Sequence, residues 1–174
     1  MGAKDGPLNE ETIAAWRTEG LLDEASSFRG QQRLIVPRSS LRRTAGRLRD
    51  ELRFDMLIDV TCVDYLAHPR RHEVAERFGL VYQLLRTEDV ARLTLRVFVG
   101  ETTPCVESLV PLWESANWLE REVWDLFGIR FEGHPDLRRI LLPEPFRAHP
   151  LRKDYPLQGL GERHNFPVLR RGEG

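Results

Sequence analysis

Residues 118–142 read WLEREVWDLFGIRFEGHPDLRRILL and hold the chain's most crowded group of ionisable side chains. Glu120, Glu122, Asp125 and His134 are the residue types from which a metal site or an acid/base pair is built. Their spacing argues against both. Glu120 and Glu122 are two apart, so on an α-helix they diverge by about 200° and cannot reach one ion together. Glu122 and Asp125 are i,i+3 neighbours and could share a site, but no Glu-x-x-His ligand pair accompanies them. The spacing favours an ion-paired helix face, with Arg121 and Asp125 as an i,i+4 pair.

His134 stands between Gly133 and Pro135, which restrains its backbone and presents the ring. Paired with Glu122 it could serve a stand-alone hydrolase as a general base. No nucleophile, second histidine at ligand spacing or glycine-rich phosphate loop comes with it, so a local hydrogen bond fixing a loop is favoured. His149 repeats the His-Pro step and is followed by Leu151, Arg152, Lys153 and Asp154. The apolar spacing of Leu151, Tyr155 and Leu157 points to docking. Cys62 and Cys105 sit far apart in apolar segments without CxxC spacing. They are expected to be small buried hydrophobes, not a disulfide or ligands of an iron–sulfur cluster.

The elements that must position these residues follow from periodicity. NEETIAAWRTEG predicts a helix with Asn9 as N-cap and Gly20 as stop, after a loose start. QRLIVP predicts a short strand. SSLRRTAGRLRDELR predicts a second helix, capped by Ser39 or Ser40, with Leu41, Ala45, Leu48 and Leu52 on its core face. Three extended runs follow: FDMLIDVTCVDYL, RFGLVYQLLR and ARLTLRVFVG, the last two joined by a compact turn. Leu93, Leu95, Val97 and Val99 are expected to face one way, and Arg92, Thr94 and Arg96 the other. VESLVPLWESANWLEREVWDLFG predicts a helix, a break near Pro111 and a second helix ending at Gly128. On that second helix Trp118, Leu119, Val123, Leu126 and Phe127 form one broad stripe. The four tryptophans are expected to be core or interface anchors.

The expected class is α+β: a mixed β-sheet with helices packed on it, plus an extended irregular C-terminal arm. Residues 1–128 form the core domain, and 129–174 form the arm. Prolines and glycines crowd the arm, and it is predicted to lie on a partner. The chain's 174 residues and 41% hydrophobic content suit one domain of ordinary size. A formal net charge of -1 gives no general attraction for nucleic acid or anionic lipid. The basic RLRDELR helix carries no interleaved aromatics, so a solvated face is expected there. No apolar run approaches the roughly 20 residues of a membrane span, and the start is too polar for a signal peptide.

The run EREVWDLFGIRFEGHPDLRRIL resembles the signature of the 30 kDa subunit of respiratory complex I, the C subunit of bacterial NADH:quinone oxidoreductase. Glu120, Arg121, Glu122, Asp125, Leu126, Phe127, His134 and Arg138 fill its fixed positions. HPLRKDYPL, from His149 to Leu157, resembles the family's second block, and the resemblance covers roughly 55 to 157. A departure is Pro145-Phe146-Arg147-Ala148, where many relatives have Gly-Phe-x-Gly. The resemblance implies a non-catalytic structural subunit of the peripheral arm of a proton-translocating complex. It further implies that the C-terminal arm packs on the 49 kDa partner, the D subunit, beside the quinone site and electron path. NADH, FMN, iron–sulfur clusters and quinone would be held by other subunits, and the complex would sit peripherally on the cytoplasmic face of the bacterial inner membrane. An equivalent subunit of a related membrane-bound hydrogenase or non-NADH dehydrogenase is the alternative. Glu120, Arg121, Glu122, Asp125, His134, Asp136, Arg138, Arg139, His149, Arg152, Lys153 and Asp154 are then expected to hold the loop geometry and the partner interface.

Overall fold

Strand alternation sets the layers of the molecule. The structure is a computed structural model and describes residues 7–69, 74 and 76–161. In chain order the elements are α1 (Glu10–Thr18), β1 (Glu24–Phe28), β2 (Gln31–Ile35), a 3-10 turn (Arg38–Ser40) and α2 (Leu41–Asp50). Then come β3 (Met56–Asp64), β4 (Phe78–Arg86), β5 (Ala91–Val99), β6 (Cys105–Glu107), α3 (Ala116–Phe127) and β7 (Arg130–Glu132). The main sheet runs β1-β2-β5-β4-β3. Strands β2 and β5 are parallel and every other pair in it is antiparallel, so the sheet is mixed, as expected. A separate parallel pair joins β6 to β7.

On β5, Leu93, Leu95, Val97 and Val99 are buried and Arg92, Thr94 and Arg96 face outward. The inward residues of β4 and β3, among them Leu80, Tyr82, Leu84, Val60 and Cys62, continue the same layer. Ile13 and Trp16 of α1, Leu41, Ala45 and Leu48 of α2, and Ala116, Val123 and Phe127 of α3 complete one core cluster. The three helices therefore cover a single face of the sheet. Asn9 caps α1 by accepting from the Thr12 amide at 2.8 Å, as its position predicts. Leu8 is anchored by Gln32, whose side chain bonds both the amide and the carbonyl of Leu8 at 2.9 and 3.0 Å. Of the loose start expected before the Asn9 helix, residues 1–6 lie outside the described residues, as does the tail over 162–174.

Four expectations change. The polar segment EASSF forms β1, unpredicted because it lacks apolar alternation; the turn Arg29-Gly30, both at positive φ, folds it back on β2. The helix expected before Pro111 is absent: Cys105–Glu107 pairs with β7, and the chain then turns toward α3. Neither Ser39 nor Ser40 caps α2. The Ser40 hydroxyl instead donates to the Gly20 carbonyl at 2.8 Å, after a 3-10 turn. Trp118 is not in the buried stripe; it is 58% exposed, because Ala116, Glu120, Val123 and Phe127 make the face that meets the core.

Candidate functional site

Helix α3 carries the charged run, and its two inner faces do different work. Gly128 ends it at φ 73, a left-handed cap that glycine adopts without steric cost, and its amide donates to the Trp124 carbonyl at 2.8 Å. The last carbonyls of a helix have no partner within it. Here the second His-Pro block supplies them. His149 Nδ1 donates to the Asp125 carbonyl at 2.9 Å, the Leu151 amide donates to Leu126 at 3.1 Å, and Arg152 Nε donates to Phe127. A Cβ on Gly128 would stand 2.6 Å from both His149 and Arg152, so the arm crosses directly over the glycine. Burial pushes the His149 pKa down, and Arg152 and Arg139 add to the shift against the opposing Asp125 hydrogen bond.

Asp125 is fully buried and anchors the first part of the arm. One carboxylate oxygen accepts the amides of Ile140, Leu141 and Leu142 at 3.1, 2.9 and 2.9 Å. The other takes Arg139, whose guanidinium also reaches the Ala148 carbonyl and lies over the Trp124 and Phe146 rings. Desolvation raises the carboxyl pKa, but the three amides and Arg139 outweigh it and hold the group below its ordinary value. The expected Arg121–Asp125 pair is therefore not formed. Arg121 is buried, stacks on Trp118, and donates to the carbonyls of Arg138 and Arg139, both at 3.2 Å. A helical i,i+4 spacing made the two eligible to pair, yet each is engaged by the arm lying across them.

The ion-paired helix face also fails at Glu120. It is fully buried, with no basic partner among the described residues, and accepts from the Leu109 amide and the Ser108 hydroxyl, each at 2.7 Å. Desolvation raises its pKa to about 7. Glu122 points to solvent, so the two carboxylates diverge as the helix geometry requires. His134 accepts the Asp136 amide on Nδ1 at 3.0 Å, so Nε2 carries the proton and donates to the Asn117 carbonyl at 3.1 Å. Both ring nitrogens are thus held by backbone, and the His134–Glu122 pairing a hydrolase would need is not made. Arg138 projects outward, 71% exposed in its side chain, and pairs with Asp136 at 2.9 Å.

A second lock involves two residues that spacing did not single out. Asp64 and Arg77 are buried and paired at 2.8 Å, and Arg77 also binds Asp154 at 2.8 Å and the exposed Glu101. The Lys153 amide donates to Asp64 at 2.9 Å, so the arm closes onto the end of β3. Burial opposes ionisation of Asp64, but Arg77 and the amides of Lys153 and Leu66 keep its pKa lowered. Phe78 lies under both the Arg77 and Arg152 guanidiniums, at 4.8 and 5.3 Å. A signal for Asp64 existed: it continues the inward register of Val60 and Cys62, where a carboxylate needs a cation. Nothing local marked Arg77.

The motif thus splits into groups. Arg121, Asp125, Arg139, His149 and Arg152 meet along one side of α3; Lys153 and Asp154 join Arg77 and Asp64; His134, Asp136 and Arg138 form a turn; Glu120 lies inside and Glu122 outside. Packing continues past Gly128, since Ile129 and Phe131 belong to the core cluster.

This is the geometry of an α+β module with its own C-terminal segment keyed onto one helix. The family described as "Respiratory-chain NADH dehydrogenase, 30 Kd subunit" matches residues 34–160, and the chain belongs to it. A relative from Trichlorobacter lovleyi, named as the C subunit of NADH-quinone oxidoreductase, is 46% identical over 82% of this chain and 85% of its own length. One of the same name from Acidithiobacillus ferrooxidans is 44% identical over 89% of this chain and 75% of its own. Among solved structures, a trypsin-resistant fragment of Nqo5 superposes with a TM-score of 0.64 at 37% identity, covering 74% of this chain and 98% of the fragment. A chain of the membrane-bound sulfane sulfur reductase, an archaeal respiratory membrane complex, shares the fold at a TM-score of 0.64 and 22% identity, over 95% of each chain.

Proposed function

We propose that this chain is a non-catalytic structural subunit of the peripheral arm of a proton-translocating NADH:quinone oxidoreductase. Its arm packs on the 49 kDa subunit beside the quinone site, while NADH, FMN, iron–sulfur clusters and quinone belong to other subunits. The complex lies on the cytoplasmic face of the inner membrane, and this chain meets the membrane only through its partners. Among the described residues no helix is long and apolar enough to cross a membrane.

One observation carries the reading: the buried polar groups of the motif are spent on fixing the arm's backbone, while several apolar side chains along the arm are left outside. Leu141 is 60% and Leu151 48% exposed although their own amides are held by Asp125 and Leu126. A surface ordered before its partner arrives loses less conformational entropy on binding. The names of the relatives, at more than 40% identity, support the choice of complex.

The test is purification of the tagged chain from the membranes of its native host, with mass spectrometry of what accompanies it. Flavin- and cluster-bearing subunits are expected; recovery of the chain alone overturns the reading. Arg138→Ala should lower the yield of assembled complex and leave turnover per assembled complex unchanged. Full assembly with lost turnover would instead assign Arg138 a part in the chemistry.

A further inference from the structure

All three helices lie on one face of the sheet; on the other, Tyr65 lies over Gly79 and Phe98 at one end, and no described helix or strand covers the rest. That open part of the face has a definite character. Arg92 and Arg96 stand four residues apart on β5, about 13 Å along the strand. Arg33 of β2 is in register with Thr94, midway between them and about 5 Å to the side. Arg96 stacks on Phe98 and Tyr65, but Arg33 and Arg92 are exposed and have no carboxylate within ion-pair distance among the described residues. Val81 and Leu85 of β4, in register with Arg96 and Arg92, are half-buried apolar neighbours. Acidic residues stand outward at the two edges, Glu24 on β1 and Asp59 on β3, and none stands outward on β2, β5 or β4 between them.

We infer that this open sheet face is a second docking surface, for a segment of a neighbouring subunit that presents carboxylates around an aliphatic centre. The inference rests on the chain's membership of a complex. Charge selects the occupant. A second copy would set three arginines against three, and residues 162–174, with Arg163, Arg170 and Arg171 against two glutamates, are also net basic. Apolar contact at Val81 and Leu85 would strip water from the guanidiniums, and only opposing carboxylates would then repay their desolvation.

The experiment places a cysteine at Thr94, between the arginines, and compares its maleimide labelling in the isolated full-length chain and in the purified complex. Both native cysteines are buried. At least tenfold slower labelling in the complex is expected, and a parallel Gln31→Cys variant keeps the test intact if Thr94→Cys fails to fold. Arg33→Glu with Arg92→Glu should release the chain at roughly tenfold lower salt, while Arg33→Lys with Arg92→Lys should not. Equal labelling in both states overturns the inference alone, as does a disulfide joining two copies through the introduced thiols. Absence of the chain from any complex overturns the proposed function with it.

Discussion

Asp125 and Glu120 lie on one helix and are driven in opposite directions by what surrounds them. Both are buried, so desolvation raises both. Asp125 has a guanidinium and three amides to oppose it; Glu120 has one amide and one hydroxyl. The signs of their pH dependence differ accordingly. Asp125, lowered in the fold, stabilises above its ordinary range, and that stability is lost as pH falls through the folded value. Glu120, raised from 4.5 to about 7, stabilises fully below 4.5 and loses its contribution as pH rises through about 7. Wild-type protein should therefore lose about 2–3 kcal/mol from this group between pH 5 and pH 8. Glu120→Gln keeps the Leu109 hydrogen bond, offers Ser108 a donor and cannot ionise. Urea unfolding at the two pH values should give a flatter profile for the variant; parallel profiles would show that Glu120 does not titrate in the fold.

At the scale of elements, the turn after α3 is where helix, arm and sheet meet. Gly128→Ala combines a left-handed residue, costing about 1–2 kcal/mol, with a methyl 2.6 Å from His149 and Arg152. Gly133 has φ +78 but nothing within 4 Å of an added Cβ, so Gly133→Ala carries the backbone cost alone. Thermal unfolding should rank Gly128→Ala well below Gly133→Ala, and trypsin should cut at Arg147 and Arg152 faster only in the former. Equal destabilisation without faster cleavage would mean that the arm does not bear on the turn. Strands β3 to β5 and helices α1 and α2 were legible because apolar residues recur at their periods. Strand β1 was not, since its pairing comes from the Arg29-Gly30 turn and not from its side chains. The segment after β6 resembles helix in its pattern, but its Leu109 amide goes to Glu120, eleven residues on, a contact no local pattern announces. The motif's spacing was legible, but its partners were not: Asp125 is held by residues 14 to 17 positions away, where a helix-based reading looks only one turn along.

Over the whole molecule, the arm is fastened at two separated points, Asp125 on α3 and the Asp64–Arg77 pair at the ends of β3 and β4. Each lock buries a charge pair, and taking one partner away leaves the other desolvated, a loss of about 3–5 kcal/mol. The two buried carboxylates share no hydrogen-bond partner. The Asp125 site holds the amides of Ile140, Leu141 and Leu142, whereas Asp64 holds that of Lys153. Hydrogen exchange can therefore read them separately. In the wild type all four amides should exchange slowly, because each donates to a buried carboxylate. Asp125→Asn should speed the three amides of the first lock by at least a hundredfold and leave Lys153 slow. Arg77→Met should do the reverse, since it leaves Asp64 buried without its cation and frees Asp154, the residue next to Lys153, from the same guanidinium. Were either variant to release all four together, the arm would be one cooperative strap, and the core would give it up as a unit before any partner could bind it in pieces.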